Sequence, residues 1–269
     1  ELHKLRILGV DPVLSIDTLC PVTTPFDKLK NQKADLINGT CGTGVGTTFE
    51  REENFYSLTV GDLIFPEIVK EKCKNIAKYY KYPNENNRII REHLNDFYKA
   101  IQCLLDSPEI EFVETDQFFK SSQTQLKSKI FESSQGLLLD QNIGFFPHVT
   151  RSNVDTTNIK KIQEFDKIVE TREDYTDLYF VTRAYSTRHG NGPMFKSDYF
   201  IGIDYENETN INNRFQGEFR IGLLNVDLLN YALTKERANR TLPRIGEINL
   251  MITCFDHITD KKYKFVHKN

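Results

Sequence analysis

The residues with the clearest chemical potential lie in one stretch, and Gln135 is central to it. An amide side chain both donates and accepts hydrogen bonds, which suits it to recognising the edge of a purine or pyrimidine ring. Gln135 precedes Gly136 and stands between the apolar segments Ile130–Phe131 and Leu137–Leu139. Ligands of α/β proteins bind where strands end and loops turn, so this pattern favours a ligand-contacting turn. The alternative interpretation is a strand, a turn and a second buried segment, in which the polar residues only cap backbone groups.

A second stretch, residues 38–48, contains four glycines and four threonines among eleven residues. Glycine adopts positive φ freely, so a turn rich in glycine can aim several backbone N–H groups at one point. Such a group of donors suits a phosphate. The segment therefore indicates a phosphate-binding turn, although many glycine-rich turns are only tight loops.

The amino-acid composition indicates the class of protein to which these turns belong. The chain has 269 residues, of which 39% are hydrophobic and 27% charged, with a net charge of −3. These values are typical of a globular protein without strong attraction to nucleic acid or to anionic membranes. The five cysteines are scattered, which favours a reduced, cytoplasmic chain. The chain begins at Glu1 rather than methionine, so we expect that a native beginning is missing.

The hydrophobic pattern predicts the elements that position the two turns. We expect a single α/β domain over residues 1–269, with a mostly parallel central sheet flanked by helices. Helices are predicted over 66–82, 87–105, 161–170 and 226–239. Strands are predicted within 6–19 and over 130–131, 178–183, 197–206 and 247–255. Residues 27–35 are interpreted as a solvated helix or loop, and residues 107–129 as a polar connection.

The stretch around Gln135 also resembles a known signature. Its residues stand in the order and spacing of a signature of adenylosuccinate synthetases, namely Gln135–Gly136, Leu138–Asp140, Gly144, Pro147, Val149–Thr150 and Ser152–Asn153. The chain thus resembles a divergent and incomplete member of that family. This resemblance implies a P-loop-NTPase-like adenylosuccinate synthetase fold that lacks its N-terminal phosphate-loop portion.

The glycine–threonine turn resembles the family's GTTGxGxGP loop, with Cys41 in place of the second threonine and Thr47 in place of the proline. The resemblance implies a set of residues that bind the substrate nucleotide, with Gln135 on its 6-oxo group: Thr40, Cys41, Gly42, Gln135, Thr150 and His189. In the family an arginine downstream serves the neighbouring subunit's phosphate site. Phe55 stands at that position, and Arg51 is the nearest substitute.

Two later segments resemble the sites for the other substrates. The family has an arginine-rich loop for the carboxylates of aspartate, and Arg214 and Arg220 are the residues that this resemblance assigns to it. Thr253–Asp256 stands where the family has TKLD, which binds the guanine base of GTP. The resemblance thus assigns the GTP base to Cys254, Phe255 and Asp256, with Cys254 replacing the family's lysine.

The resemblance implies a ligase that joins aspartate to the 6-position of IMP with hydrolysis of GTP, in purine biosynthesis, as a homodimer. The family's phosphate loop, with its catalytic aspartate and the histidine that follows, has no counterpart in this sequence. We therefore assign no metal ligand, expect the Mg²⁺ ligands in a missing N-terminal part, and expect this fragment alone to be inactive. Two alternatives stay open. One is a related synthetase acting on another purine nucleotide such as (d)GMP with ATP, and the other is an inactive nucleotide-binding relative.

Overall fold

The computed structural model describes residues 2–33, 40–82, 88–120, 129–165, 175–194, 203–204, 215–240, 242, 244–259 and 262–267. The chain divides into two compact units. Unit 1 comprises Glu1–Ala34 and Gly42–Gln125, and unit 2 comprises Asp35–Cys41 and Leu126–Asn269. The single-domain organisation over 1–269 stays a prediction.

Unit 1 is mainly helical. Its elements in chain order are α1 (Leu2–Ile7), β1 (Leu14–Asp17), α2 (Pro25–Lys33), α3 (Val45–Glu53), a 3₁₀ turn (Val60–Ile64), α4 (Pro66–Tyr79), α5 (Arg88–Leu105), β2 (Ile110–Val113) and α6 (Thr115–Lys120). β1 and β2 pair in parallel, with Leu14 opposite Ile110. The helices predicted over 66–82 and 87–105 are confirmed. Of the strand predicted within 6–19, only β1 forms. The interpretation of residues 107–129 as a polar connection was wrong for the residues that form β2 and α6.

The core of unit 1 is built on the apolar stripe of α4. Val69, Cys73 and Ile76 are buried against Phe26 of α2. Pro66 begins the helix at a position where its missing N–H costs nothing. Burial raises the pKa of the Cys73 thiol to about 11. α2 was expected to be solvated, but it packs against α3 and α5 and therefore buries part of its surface.

Unit 2 carries most of the strands. Its elements are a 3₁₀ turn (Leu137–Leu139), α7 (Thr157–Phe165), β3 (Thr176–Arg183), β4 (Tyr185–His189), β5 (Phe219–Asn225), α8 (Val226–Asn239), β6 (Ile245–Thr253), a 3₁₀ turn (Phe255–His257) and β7 (Phe265–Val266). The strands predicted over 178–183 and 247–255 and the helix over 226–239 are confirmed. Ile130 and Phe131 form no strand. Of the strand predicted over 197–206, only Ile203 and Asp204 lie within the described residues, and Ile203 bridges to Ile258.

The described strands form three small sheets, β1–β2, β3–β6 and β4–β5–β7. Three of the pairings are parallel, and only β4 with β5 is antiparallel. The expected α/β class, with parallel sheets flanked by helices, is confirmed. None of the helices within the described residues is long and apolar enough to cross a membrane.

Candidate functional site

The stretch around Gln135 has little regular structure, and the buried carboxylate of Asp140 fixes its shape. One Asp140 oxygen, Oδ1, accepts hydrogen bonds from the backbone N–H groups of Asn142, at 2.7 Å, and Ile143, at 3.2 Å. The other oxygen accepts from the backbone N–H groups of Val154 and Asp155. A buried carboxylate needs hydrogen-bond donors. Here backbone N–H groups donate to the carboxylate instead of to the carbonyls of a helix or sheet. Asp140 is therefore a structural residue that closes the loop between its two ends.

Helix α8 supports the same loop. The Tyr231 hydroxyl donates to the Ile143 carbonyl at 3.2 Å, and the Tyr231 ring stacks on Phe145 with 5.3 Å between centroids. A Cβ at Gly144 would lie 2.7 Å from a methyl carbon of Val149, so only glycine fits there. The loop is thus a packed and preorganised support for the turn that contains Gln135.

Gln135 itself is exposed and has an unusual backbone. Its φ is 63°, a left-handed conformation that costs free energy for any residue other than glycine or asparagine. Such strain clusters at functional sites, where the surrounding structure enforces it. Gly136, which follows Gln135, has an ordinary φ of −127°. The Gln135 amide donates to the Thr150 hydroxyl at 3.4 Å, so the structure brings these two expected nucleotide-binding residues together.

The glycine–threonine turn leads into the N-terminus of α3. Gly42 and Gly44 have φ values of 73° and 94°, and Gly44 is the N-cap of the helix. A Cβ at Gly44 would come within 2.8 Å of the Lys28 backbone nitrogen. Both this close approach and the positive φ therefore require glycine at position 44. The first N–H groups of a helix and its dipole favour an anion. Thr40 and Cys41, in the first part of the turn, belong to unit 2, and Cys41 is exposed.

The expectation that Arg51 substitutes for the family's phosphate-site arginine was wrong. Its guanidinium is fully buried and donates to Asp27 at 2.9 Å, to the Val22 carbonyl at 2.9 Å and to Glu52 at 2.8 Å. A group held in this way cannot reach another subunit. Phe55, which stands at the family position, is 94% exposed and has a φ of 65°.

The β4–β5 pair positions Arg220 and His189. Arg220 lies opposite Arg188, and His189 lies opposite Phe219. Successive residues of a strand face opposite sides, so His189 and Arg220 lie on different faces of the sheet. The Arg220 guanidinium donates to the Gly192 carbonyl at 3.0 Å.

His189 is the last residue of strand β4. Its ring lies 4.7 Å from the ring of Phe219, centroid to centroid. Its Nδ1 is buried and has no hydrogen-bond partner in the part of the chain that the structure describes. A buried polar atom without a partner is costly, so a ligand that bonds to this nitrogen would remove that cost.

Strand β6 ends at the segment assigned to the GTP base. Cys254 has a φ of 60°, and Phe255–His257 form one 3₁₀ turn. The Asp256 side chain is 83% exposed, and its carboxylate lies 3.8 Å from His257 Nε2. On its other side the His257 ring is held at Nδ1 by the hydroxyl of buried Tyr185, at 2.6 Å. The turn thus presents Asp256 to solvent while His257 anchors it to β4.

Some expectations lie outside what the structure can test. Arg214 is not among the described residues. The described residues also contain no group of three His, Cys, Asp or Glu side chains that could hold a metal ion. Mg²⁺ binding by this protein stays a prediction.

Sequence reasoning missed two residues that organise the site. Arg188 bonds to the carbonyls of His148 and Asn191, each at 2.9 Å, and so ties the Gln135 stretch to the end of β4. His257 links Tyr185 to the Asp256 turn. The Arg188–His148 and Tyr185–His257 contacts join residues distant in sequence, so no local pattern could have revealed them.

Comparison with known proteins agrees with this architecture. The family model of adenylosuccinate synthetase matches residues 1–240. The adenylosuccinate synthetase of Thermosipho africanus is 30% identical over 250 residues, covering 89% of this chain and 58% of the relative. Adenylosuccinate synthetase 1 of Pseudoalteromonas translucida is 28% identical over 215 residues, covering 76% of this chain and 47% of the relative.

A solved structure shows the same fold. Fully ligated adenylosuccinate synthetase from Plasmodium falciparum matches with a TM-score of 0.62 at 17% identity, over 88% of this chain and 55% of that one. The chain thus spans about half the length of the relatives it matches. Because the family model covers most of the sequence, the chain belongs to the adenylosuccinate synthetase family.

Proposed function

We propose that the protein is a purine-nucleotide ligase that joins aspartate to the 6-position of IMP with hydrolysis of GTP, forming adenylosuccinate. The observation that carries this proposal is Gln135, a residue of the family signature that is exposed, held at a positive φ and bonded to Thr150. A strained, preorganised amide at this position is suited to a purine edge.

The reaction has two steps. The γ-phosphoryl group of GTP is transferred to the 6-oxygen of IMP, and the amine of aspartate then attacks C6 and displaces inorganic phosphate. Negative charge develops on the 6-oxygen as the N1 proton of the purine ring passes to a base, which in the family is the aspartate of the phosphate loop. The Gln135 amide N–H donates to that oxygen and stabilises the charge. The rigid loop built on Asp140 holds the amide in place without reorganisation.

The nucleotide's 5′-phosphate is assigned to Thr40, Cys41 and Gly42, with support from the positive φ of Gly42 and from the helix N-terminus that follows. Thr150 is assigned to the same nucleotide through its bond to Gln135. His189 is included because its buried Nδ1 has no hydrogen-bond partner among the described residues.

The base of GTP is assigned to Cys254, Phe255 and Asp256. A carboxylate accepts the two adjacent N–H groups of guanine, N1–H and the 2-amino group, and adenine offers no such pair. The exposed Asp256 carboxylate and the half-exposed Phe255 ring suit this role. By family membership we extend the proposal to a cytoplasmic homodimer.

Exposed Cys41 allows a direct test of the phosphate turn. Iodoacetamide should alkylate Cys41 in the free protein, and IMP should slow this alkylation, measured by peptide mass spectrometry. With IMP at about ten times its dissociation constant the site is about 90% occupied, so the rate should fall by up to about tenfold. Exposed Cys103 is the matched control and should react at the same rate with and without IMP. Unchanged alkylation of Cys41 at saturating IMP would remove the turn from the nucleotide site.

A further inference from the structure

The turn that follows β6 has a fixed backbone and an exposed carboxylate. The His257 N–H donates to the Cys254 carbonyl at 3.3 Å, which closes the turn. The Asp204 N–H donates to the His257 carbonyl at 2.8 Å, which holds its end. The Asp256 side chain projects from this turn and is 83% exposed. The backbone therefore fixes where the Asp256 side chain begins, and a side-chain contact is needed to fix where its carboxylate points.

The imidazole of His257 makes such a contact and is itself held in place. Its Nε2 lies 3.8 Å from the Asp256 carboxylate, and its Nδ1 lies 2.6 Å from the Tyr185 hydroxyl. The Tyr185 and His257 rings are stacked, with 5.9 Å between centroids and 26° between planes. Tyr185 is 2% exposed and begins β4, opposite Leu223 of β5. A buried residue of a paired strand thus fixes the ring beside Asp256.

The two contacts also indicate where the ring carries its proton. A carboxylate only accepts hydrogen bonds, so its position beside Nε2 favours a proton on that nitrogen. In the neutral ring Nδ1 is then an acceptor, and the Tyr185 hydroxyl donates to it. The distance of 3.8 Å from Nε2 to the carboxylate exceeds that of a hydrogen bond, so the ring attracts Asp256 electrostatically. This attraction restricts the Asp256 side chain without occupying one of its acceptor sites.

We propose that His257 is a positioning residue that orients the Asp256 carboxylate toward a guanine base and so sets a preference for GTP over ATP. The proposal rests on the assignment of Asp256 to the GTP base in the proposed function. Guanine offers N1–H and the 2-amino group side by side, so the carboxylate must meet two donors at once. An exposed carboxylate loses rotational freedom when it does so, and a neighbour that already restricts it lowers this cost. Adenine lacks the pair of donors, so the orientation of Asp256 contributes nothing to ATP binding.

The test uses two variants of the full-length protein that keep different halves of the imidazole. His257→Asn places its amide near the position of Nδ1, within reach of Tyr185 and out of reach of Asp256. His257→Gln places its amide nitrogen near the position of Nε2 and keeps the contact with Asp256. Calorimetric titration should show about two- to tenfold lower affinity for GTP in His257→Asn, the cost of ordering one side chain. The affinity for ATP should stay unchanged, and His257→Gln should recover most of the GTP preference.

The matched control is His93→Asn, because His93 is exposed on α5. This variant should bind GTP and ATP as the wild type does. Equal losses of GTP and ATP affinity in His257→Asn would mean that the ring only supports the turn, and would overturn the proposal. A wild-type preference for GTP in His257→Asn, or no such preference in the wild type, would overturn it as well.

A third variant keeps the proposal testable if His257→Asn does not fold. Tyr185→Phe keeps the buried ring and removes the hydroxyl that fixes the imidazole. It should lower the GTP preference in the same direction, with ATP affinity unchanged. An unchanged GTP preference in Tyr185→Phe would contradict the proposal.

These titrations separate the positioning role from the ligase function. The ligase function fails and the positioning role stands if His257→Asn loses the GTP preference of the wild type but the wild type forms no adenylosuccinate from IMP, GTP, aspartate and Mg²⁺. The ligase function stands and the positioning role fails if adenylosuccinate forms and both His257 variants keep the GTP preference.

Discussion

Replacement of Gln135 by alanine in the full-length protein is expected to lower the turnover of adenylosuccinate formation by about one to three orders of magnitude. The variant loses the N–H donor that we propose stabilises the developing charge on the 6-oxygen, an interaction stronger in the transition state than with bound IMP. The Michaelis constant for IMP should therefore change much less than the turnover. Steady-state kinetics with IMP, GTP, aspartate and Mg²⁺ measure both quantities.

A matched control separates this effect from general damage. Gln102 on α5 is also exposed, and its amide donates to Asp106, one helical turn away. Gln102→Ala should keep the wild-type turnover. If Gln135→Ala is as active as Gln102→Ala, Gln135 does not act on the 6-oxo group.

Replacement of Arg51 by alanine should lower the free energy of unfolding of unit 1 by about 3–5 kcal/mol, because it leaves the Asp27 carboxylate buried without its cation. The two side chains are fully buried and 2.9 Å apart. Urea denaturation followed by circular dichroism measures this change, since unit 1 holds most of the helices.

An exposed ion pair in the same unit is the control. Arg88 and Glu92 are 2.8 Å apart on α5, with side chains 84% and 59% exposed. Surface pairs of this kind contribute about 0.3–0.5 kcal/mol, so Arg88→Ala should have a small effect. Similar losses in both variants would contradict the structural role of Arg51.

Periodic apolar residues made much of the fold predictable. The stripe of Val69, Cys73 and Ile76 in α4 follows helical spacing, and the apolar run in β6 is long enough to identify a strand. The family signature also includes Gln135 and Thr150, and the structure shows a hydrogen bond between their side chains.

Features that depend on distant partners were not predictable. The polar sequence of α2 predicted a solvated helix. Asp27 is nevertheless buried, where it pairs with Arg51, 24 positions further along the chain. β2 has only four residues, too few for a clear alternating pattern. Arg188 meets Arg220 only through strand register, and no property of either segment alone fixes that register.

The proposed function requires that the protein recognise a purine nucleoside monophosphate through both its phosphate and its 6-oxo group. Calorimetric titration of the full-length protein with IMP and with inosine, which lacks the phosphate, tests this most directly. We expect IMP to bind at least about tenfold more tightly than inosine, because the proposed function assigns the phosphate to the glycine turn and the helix N-terminus. Equal affinity for IMP and inosine, or no binding of either, would contradict it.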